Sequence, residues 1–155
     1  MSELPKFELI GPSGAPLVVV LGGISASRHV VATEHDPSPG WWETVVGPGR
    51  AIDTTRLRVL GVDYLDGGRG SDGRPKRIVS THDQADAIAA VLDRLSVERA
   101  HALIGASYGG MVALAFRRVA APADQVRRTG SRPALDAILA PSTVTAFCRR
   151  RDASH

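Results

Sequence analysis

The stretch His101-Ala-Leu-Ile-Gly-Ala-Ser-Tyr-Gly-Gly-Met-Val-Ala-Leu-Ala-Phe116 decides how this chain folds. At its centre, residues 105–109 read Gly-Ala-Ser-Tyr-Gly and fit the pattern G-x-S-x-G of a nucleophile elbow. In such an elbow a serine lies on a sharp strand-to-helix turn, and the two glycines leave room for neighbouring backbone. The residues before the motif predict a short buried strand, and the residues from Met111 to Phe116 predict an apolar helix.

This motif predicts Ser107 as a nucleophile. The helix that follows points its N-terminus at the position where negative charge develops during attack by the serine. A glycine-rich turn that only packs, or that binds a phosphate, would show the same five residues. The flanking strand and helix, together with a third glycine at Gly110, favour the elbow.

Length and composition are those of one soluble globular domain. The chain has 155 residues, of which 43% are hydrophobic and 23% charged. A single cysteine, Cys148, leaves no partner for an internal disulfide and fits a reducing cytoplasm. The N-terminal residues lack a basic segment followed by an apolar run, and no apolar run approaches membrane-spanning length. We therefore expect a cytoplasmic protein that does not bind a membrane.

The positive charge is concentrated at the end of the chain. Residues 117–155 contain eight Arg and three Asp, whereas the whole chain has a net charge of only +3. A basic tail can contact nucleic acid or acidic partners. We favour a surface segment and expect no nucleic-acid partner.

The order of predicted elements indicates an α/β fold. Residues 17–21 and 57–62 are apolar runs typical of buried strands in a parallel sheet. Residues 81–95 have helical periodicity, with Thr81 as the expected N-cap and Gln84 as its capping-box partner. Strands that alternate with helices in this order predict parallel pairing through right-handed crossovers.

Two glycine-rich loops follow the predicted strands. The loop Gly22-Gly-Ile-Ser25 either is a simple turn or brings a second backbone amide to the reaction centre. The loop over residues 67–73 has neither a Walker lysine nor a dinucleotide fingerprint, and we expect a flexible loop near the site.

The five histidines have different expected roles. We expect His101 to be structural and His82 to be exposed, whereas His29 and His35 could line a pocket. None of them has the spacing of a zinc protease motif, so no metal site is expected. His155 is the last residue, and a positioned catalytic role for it is not expected.

Several segments together resemble the homoserine O-acyltransferases, the acetyl- and succinyltransferases of the α/β-hydrolase superfamily. The resemblance covers about residues 17–116. It rests on the elbow and on the motifs Gly-Trp-Trp, Gly-Pro-Gly and Asp-Thr. These three motifs follow one another at the spacing that the family shows. The segments that carry it are Leu21-Gly-Gly-Ile-Ser-Ala-Ser-Arg-His-Val30, Pro39-Gly-Trp-Trp-Glu43, Gly47-Pro-Gly-Arg-Ala-Ile-Asp-Thr54, Gly67 to Gly73 and Gly105 to Met111.

The resemblance implies a partial α/β-hydrolase fold, with a mostly parallel sheet and flanking helices. It implies that Ser107 is the nucleophile and that the backbone amides of Ile24 and Tyr108 form the oxyanion hole, while His29 is architectural or lines the pocket. The serine would take an acetyl or succinyl group from acetyl-CoA or succinyl-CoA and pass it to homoserine, in methionine biosynthesis. No bound cofactor is implied, and a homodimer is possible.

The sequence departs from the family at two positions near the site. Gly22 stands where relatives often have histidine, and Asp63 stands where they often have asparagine.

Paired tryptophans such as Trp41 and Trp42 more often anchor a loop on the core than build a cofactor site.

The larger departure follows the elbow. The elbow's triad runs in the order Ser, Asp or Glu, His. After Ser107 the chain offers only His155 and three acids, Asp124, Asp136 and Asp152. We expect residues 1–116 to be the N-terminal part of a hydrolase-type domain. Residues 117–155 are expected to be a basic, atypical segment, either an out-of-frame continuation or a genuine short ending, without the lid and the rest of the catalytic domain.

The chain is therefore expected to be inactive alone, because losing the general base of a triad costs several orders of magnitude in rate. Two alternatives to the acyltransferase stay open. One is a serine esterase or other hydrolase on the same fold, and the other is a non-catalytic fragment.

Overall fold

The computed structural model describes residues 4–69, 71–98, 100–120, 136–140 and 143–149. Eight strands and two helices are formed by these residues. In chain order they are β1 (Phe7–Ile10), β2 (Leu17–Leu21), β3 (Val46–Gly47), β4 (Ile52–Asp53), β5 (Arg58–Val62), α1 (Thr81–Arg94), β6 (Ala102–Ala106), α2 (Tyr108–Ala120), β7 (Asp136–Ala140) and β8 (Thr143–Arg149).

The main sheet has the strand order β1-β5-β2-β6-β8-β7. Strand β2 lies between β5 and β6 and is parallel to both, with Val20 opposite Gly61 and Leu21 opposite Gly105. Strand β1 is antiparallel to β5, and β8 is antiparallel to both β6 and β7. The parallel centre brings the carboxyl ends of β2, β5 and β6 to one edge of the sheet, where ligands bind in open α/β sheets.

The two faces of the sheet are covered by different structures. Alternate residues of the central strands, among them Val19, Leu60 and Leu103, pack with the buried sides of α1 and α2. The opposite side chains, such as Val18 and Val20, pack under the long segment between β2 and β5, which includes β3 and β4. The α/β class and the parallel central strands that the sequence predicts are confirmed.

The N-cap of helix α1 lies one residue earlier than the sequence suggests. Its N-cap is Ser80, whose hydroxyl accepts a hydrogen bond from the Asp83 N–H, and the Asp83 carboxylate accepts one from the Ser80 N–H. The prediction of Thr81 as N-cap and Gln84 as its partner is therefore wrong. The Gln84 side chain is instead buried against Leu65. Its Oε1 accepts from the Leu65 N–H at 2.9 Å, and its Nε2 donates to the Leu65 oxygen at 2.8 Å.

Some elements have no clear sequence signal. Strand β1 lies within residues 1–16, which the sequence marks only as a lead-in with turns; all four of its residues are half-buried, so no alternation stands out. Strand β7 spans Asp136–Ala140, where the sequence has only a short, mostly apolar run. Such a run is compatible with a helix or a strand, and pairing with β8 makes it a strand.

No helix among the described residues is both long enough and apolar enough to cross a bilayer.

Candidate active site

The nucleophile elbow lies where β6 passes into α2. Strand β6 ends at Ala106, helix α2 begins at Tyr108, and Ser107 between them is exposed with a backbone φ of 55°. Residues with a side chain seldom adopt this left-handed conformation, so the turn holds its serine under strain. The geometry confirms the strand-to-helix turn that the sequence predicts and leaves the Ser107 side chain accessible.

Both glycines of the motif are required by close backbone contacts. A Cβ atom on Gly105 would lie 2.2 Å from the carbonyl oxygen of Gly109. A Cβ atom on Gly109 would lie 2.3 Å from the carbonyl oxygen of Leu21, at the end of β2. The elbow therefore packs directly on the end of the neighbouring strand.

The loop that follows β2 is bonded to the elbow through one carbonyl group. The oxygen of Gly22 accepts a hydrogen bond from the Gly109 N–H at 2.9 Å and another from the Tyr64 hydroxyl at 2.8 Å. A tight turn follows, in which the Ala26 N–H donates to the Gly23 oxygen at 2.9 Å. Ile24 lies in this turn and is 74% exposed.

Two backbone amides, one on the elbow and one on the loop after β2, have no hydrogen-bond acceptor among the described residues. Tyr108 is the first residue of α2, and the first N–H groups of a helix have no partner within the helix. The Ile24 N–H makes no hydrogen bond to any residue that the structure describes. Both amides lie on segments joined by the Gly109–Gly22 bond, and their assignment to the oxyanion hole stays a prediction.

Two tyrosines pack against each other beside the elbow. The rings of Tyr64 and Tyr108 meet edge to face, with centroids 5.1 Å apart and an interplanar angle of 85°. Burial, together with the neighbouring Tyr108, raises the pKa of the Tyr64 phenol well above its usual range. The phenol therefore stays protonated and donates to Gly22.

His29 is fully engaged in a structural cluster. Its Nδ1 lies 3.0 Å from Glu8 Oε2 on β1, and its Nε2 lies 2.8 Å from the Ser38 carbonyl oxygen. Asp36 Oδ2 is 3.7 Å from Nδ1. The Ser38 carbonyl, and then the nearby carboxylates, raise the pKa of His29 above its ordinary value of 6.5. Of the two roles that the sequence leaves open for His29, the architectural one fits this geometry.

None of the described residues forms a side-chain hydrogen bond to Ser107. His101 precedes β6, at the strand end opposite the elbow, and His82 is exposed in the first turn of α1. Asp124, Asp152 and His155 lie outside the described residues, and for Asp136 the structure describes only its place in β7. The acid and the base of a triad are therefore not brought to Ser107 by the described residues.

The motifs that carry the family resemblance mostly build the segment that covers one face of the sheet. Glu43, after the two tryptophans, accepts hydrogen bonds from the N–H groups of Gly40 and then Ala32, which lower the pKa of its carboxyl group. Asp53 accepts from Thr55 and from the Gly49 N–H, with the same effect on its pKa. These motifs therefore close turns.

The tryptophans anchor a loop, as expected from their sequence context. The rings of Trp41 and Trp42 stack with centroids 5.2 Å apart, and Trp41 Nε1 donates to the Ser27 oxygen at 2.8 Å. A Cβ atom on Gly22 would lie 2.7 Å from the Trp41 ring and 2.5 Å from Ala26 Cβ. The Trp41 ring thus fills the space that a side chain at position 22 would need.

Asp63 and Tyr64, which follow β5, were not predicted as site residues. Asp63 accepts hydrogen bonds from the Arg28 N–H at 2.7 Å and from Arg28 Nη1 at 2.6 Å. Tyr64 bonds Gly22, so both residues hold the loop that carries Ile24. Position 63 appears in the sequence only as a departure from the family, and no local pattern marks Tyr64.

A surface depression of about 480 Å³ is unrelated to the elbow. Ile10 lines it and pairs with Val59 near the beginning of β5, at the strand ends away from Ser107. Its other lining residues come from the segment after β2: Val31, Ala32, Thr33, Glu34, Pro37, Pro48 and Thr54.

Within the described part of the chain, no group of three or more His, Cys, Asp or Glu is arranged to hold a metal ion.

A family model described as alpha/beta hydrolase fold matches residues 16–127, which is most of the chain. The chain therefore belongs to the α/β-hydrolase fold family.

Curated proteins that match this chain include acyltransferases. The chain is 48% identical over 111 residues to a homoserine O-succinyltransferase of Xanthomonas campestris, covering 72% of this chain and 29% of that protein. It is 40% identical over 112 residues to an L-serine/homoserine O-acetyltransferase of Streptomyces lavendulae, covering 64% of this chain and 30% of the relative. The chain thus spans about 30% of the length of these relatives. Their names confirm the resemblance to homoserine O-acyltransferases.

Solved structures with the same fold include an acyltransferase and an esterase. A homoserine O-acetyltransferase from Bacillus anthracis superimposes with a TM-score of 0.61 at 25% identity, covering 71% of this chain and 36% of that one. An esterase superimposes with a TM-score of 0.59 at 29% identity, covering 70% and 36%. Fold similarity alone therefore does not separate transfer from hydrolysis.

Proposed function

We propose that this chain carries the nucleophile part of an O-acyltransferase site that acts on homoserine or serine. The observation that supports it most is Ser107, strained and exposed at a glycine-packed elbow, in a chain 48% identical to a homoserine O-succinyltransferase over the matching segment. The proposed substrates are small molecules, an acyl-CoA and an amino acid with a free hydroxyl group, and no bound cofactor is needed.

The proposed reaction is a double displacement. Ser107 Oγ attacks the thioester carbonyl of acetyl-CoA or succinyl-CoA, the CoA thiolate leaves, and an acyl-serine ester remains. The hydroxyl oxygen of the amino acid then attacks this ester, and release of the product restores the serine. The proton of each attacking hydroxyl passes to a general base, which returns it to the leaving group.

The Ile24 and Tyr108 amides are the proposed oxyanion donors. Each tetrahedral intermediate places negative charge on the former carbonyl oxygen, next to the N-terminus of α2. A single preorganised donor of this kind stabilises the transition state by ~3–4 kcal/mol.

We propose that the acid and the base come from outside the described residues. Without them a serine hydroxyl at neutral pH is a weak nucleophile, so the described part of the chain does not turn over alone. This activity would place the protein in the cytoplasm and in methionine biosynthesis, and a homodimer stays a prediction.

Trapping of the acyl-enzyme tests the proposal. The Xanthomonas campestris homoserine O-succinyltransferase is produced with its aligned segment replaced by the matching 111 residues of this chain. This graft is incubated with succinyl-CoA or acetyl-CoA without an acceptor, and its peptides are measured by mass spectrometry. We expect one acyl group on the peptide that contains Ser107, and its loss when homoserine or serine is added.

The matched control is Ser107→Ala in the same graft, which removes one oxygen atom from the site. The proposal would be overturned if the folded graft gained no acyl group, or if the Ser107→Ala control were acylated to the same extent as the graft.

The second candidate function is ester hydrolysis, favoured by the structural similarity to an esterase at 29% identity. The two functions differ in the acceptor for the acyl group. An acyl-Ser107 that decays in buffer as fast as in the presence of homoserine or serine would indicate a hydrolase.

A further inference from the structure

Three short contacts fix the loop over residues 22–28, which we call the oxyanion loop because it contains Ile24. At its beginning, the Gly22 oxygen accepts from the Tyr64 hydroxyl at 2.8 Å. At its end, the Arg28 N–H and guanidinium donate to Asp63 at 2.7 and 2.6 Å. Both ends are therefore held by consecutive residues that follow β5.

The segment that holds the loop is itself fixed. Gln84 on α1 is 3% exposed, and its amide group both donates to and accepts from the Leu65 backbone. The Asp63 N–H donates to the Lys6 oxygen at 2.8 Å. Residues 63–65 thus have contacts with α1 and with the segment before β1, and they have little freedom to move with the oxyanion loop.

Tyr64 also contacts the elbow. Its ring meets the Tyr108 ring edge to face, and the carbonyl that it binds is the one that accepts from the Gly109 N–H. One phenol therefore joins the two segments whose amides, at Ile24 and Tyr108, are the proposed oxyanion donors.

We propose that Tyr64 is a positioning residue for the oxyanion hole, which fixes the Gly22 carbonyl and thereby the Ile24 N–H relative to the elbow, with Asp63 as a second anchor. This inference rests on the proposed function. Tyr64 does not touch the reacting atoms; it acts by limiting the motion of the loop, and preorganised donors are what makes an oxyanion hole effective.

The test uses the full chain and NMR relaxation of its backbone amides. In Tyr64→Phe the ring and its packing stay, and only the bond to Gly22 is lost. We expect the order parameter of the Ile24 N–H to fall from the rigid range near ~0.85 toward ~0.6. Hydrogen exchange of the Ala26 N–H should become about two- to tenfold faster, as for the loss of one hydrogen bond.

Two further variants make the test specific. Tyr108→Phe removes the other phenol of the pair, which makes no hydrogen bond to any described residue, and the Ile24 order parameter should not change. Asp63→Asn keeps an acceptor for the Arg28 N–H but removes its negative charge. Because a hydrogen bond to a neutral acceptor is weaker, hydrogen exchange of the Arg28 N–H should become faster.

An Ile24 order parameter that is the same in Tyr64→Phe and in the unmodified chain would overturn the inference. So would faster exchange that extends equally to α1, because Tyr64 would then only stabilise the fold. No acyl donor is present, so failure here is distinct from failure of Ser107 to be acylated in the graft.

Discussion

Ser107 and Ser96 are the two described residues other than glycine with positive φ, both at 55°. Ser96 directly follows the C-cap of α1, where a left-handed residue commonly ends a helix. Ser107 adopts the same conformation at the elbow, where it exposes the hydroxyl. The two serines have the same local strain, but only Ser107 lies at the proposed site.

This pair gives the first prediction. Ser107→Gly should raise the free energy of unfolding by about 1 kcal/mol, because glycine adopts positive φ without a Cβ clash. The measurement is urea unfolding of the full chain, with Ser96→Gly as the matched control, which should gain a similar amount. A gain in the control without any gain at position 107 would mean that the elbow is not strained.

The adjacent glycines Gly22 and Gly23 give the second prediction. A Cβ atom at Gly22 would collide with Ala26 and Trp41, whereas one at Gly23 would have no atom within 4 Å. Gly22→Ala should therefore lower the free energy of unfolding by about 1–3 kcal/mol, a typical cost of overpacking. Gly23→Ala should change it by less than about 0.5 kcal/mol. Equal losses in urea unfolding would show that Trp41 does not fill this space.

Residue roles could be predicted where the signal is local. Ser107 could be identified because its neighbours in sequence, Gly105 and Gly109, are also its neighbours in space. Tyr64 could not be identified in this way. Its partner Gly22 is 42 positions away, and no residue next to Tyr64 in the sequence marks the contact.

At the scale of elements, α1 shows the same limit. Its existence follows from apolar periodicity, but Ser80 and Thr81 both stand three residues before a polar side chain able to close a capping box. Ser80 becomes the N-cap because the Gln84 side chain is bonded to the Leu65 backbone, so that Asp83 closes the capping box. A tertiary contact thus decides a boundary that the local sequence leaves open.

The cap gives the third prediction. Ser80→Ala should lower the free energy of unfolding by about 1 kcal/mol, because the Asp83 N–H loses its acceptor. Thr81→Ala is the matched control and should cost less, since Thr81 is the first helical residue and not the cap. The reverse order in thermal or urea unfolding would contradict the assigned cap.

The His29 cluster, which ties β1 to the loop over residues 36–38, gives the fourth prediction. Both ring nitrogens face acceptors, the Ser38 carbonyl and then Glu8, so the cluster favours the protonated ring and raises the His29 pKa above 6.5. A raised pKa in the folded state stabilises the protein below about 6.5, and this contribution is lost as pH rises through the folded pKa.

Urea unfolding at a series of pH values above 6 checks this prediction. The free energy of unfolding should fall as pH rises, and the His29→Gln variant, which cannot titrate, should show a smaller fall. A profile that is identical in the two proteins would show that His29 does not contribute.

At the scale of the whole molecule, the parallel centre of the sheet could be predicted and its edges could not. Strand β2 is buried throughout, β5 and β6 are mostly buried, and all three strands are rich in apolar residues. Edge strand β1 is half-buried throughout, and β7 is a short apolar run whose state depends on its partner. The site follows the same division, because the nucleophile comes from the predictable centre and the described residues supply neither acid nor base.

The central claim is that this chain supplies a working nucleophile and oxyanion hole to an acyltransferase site that is completed from outside the described residues. The most direct measurement is CoA release from succinyl-CoA in the presence of homoserine, by the graft and by its Ser107→Ala control. We predict homoserine-dependent release by the graft and a loss of at least about a thousandfold in the control. A folded graft without turnover, or a control that releases CoA as fast as the graft, would contradict the account.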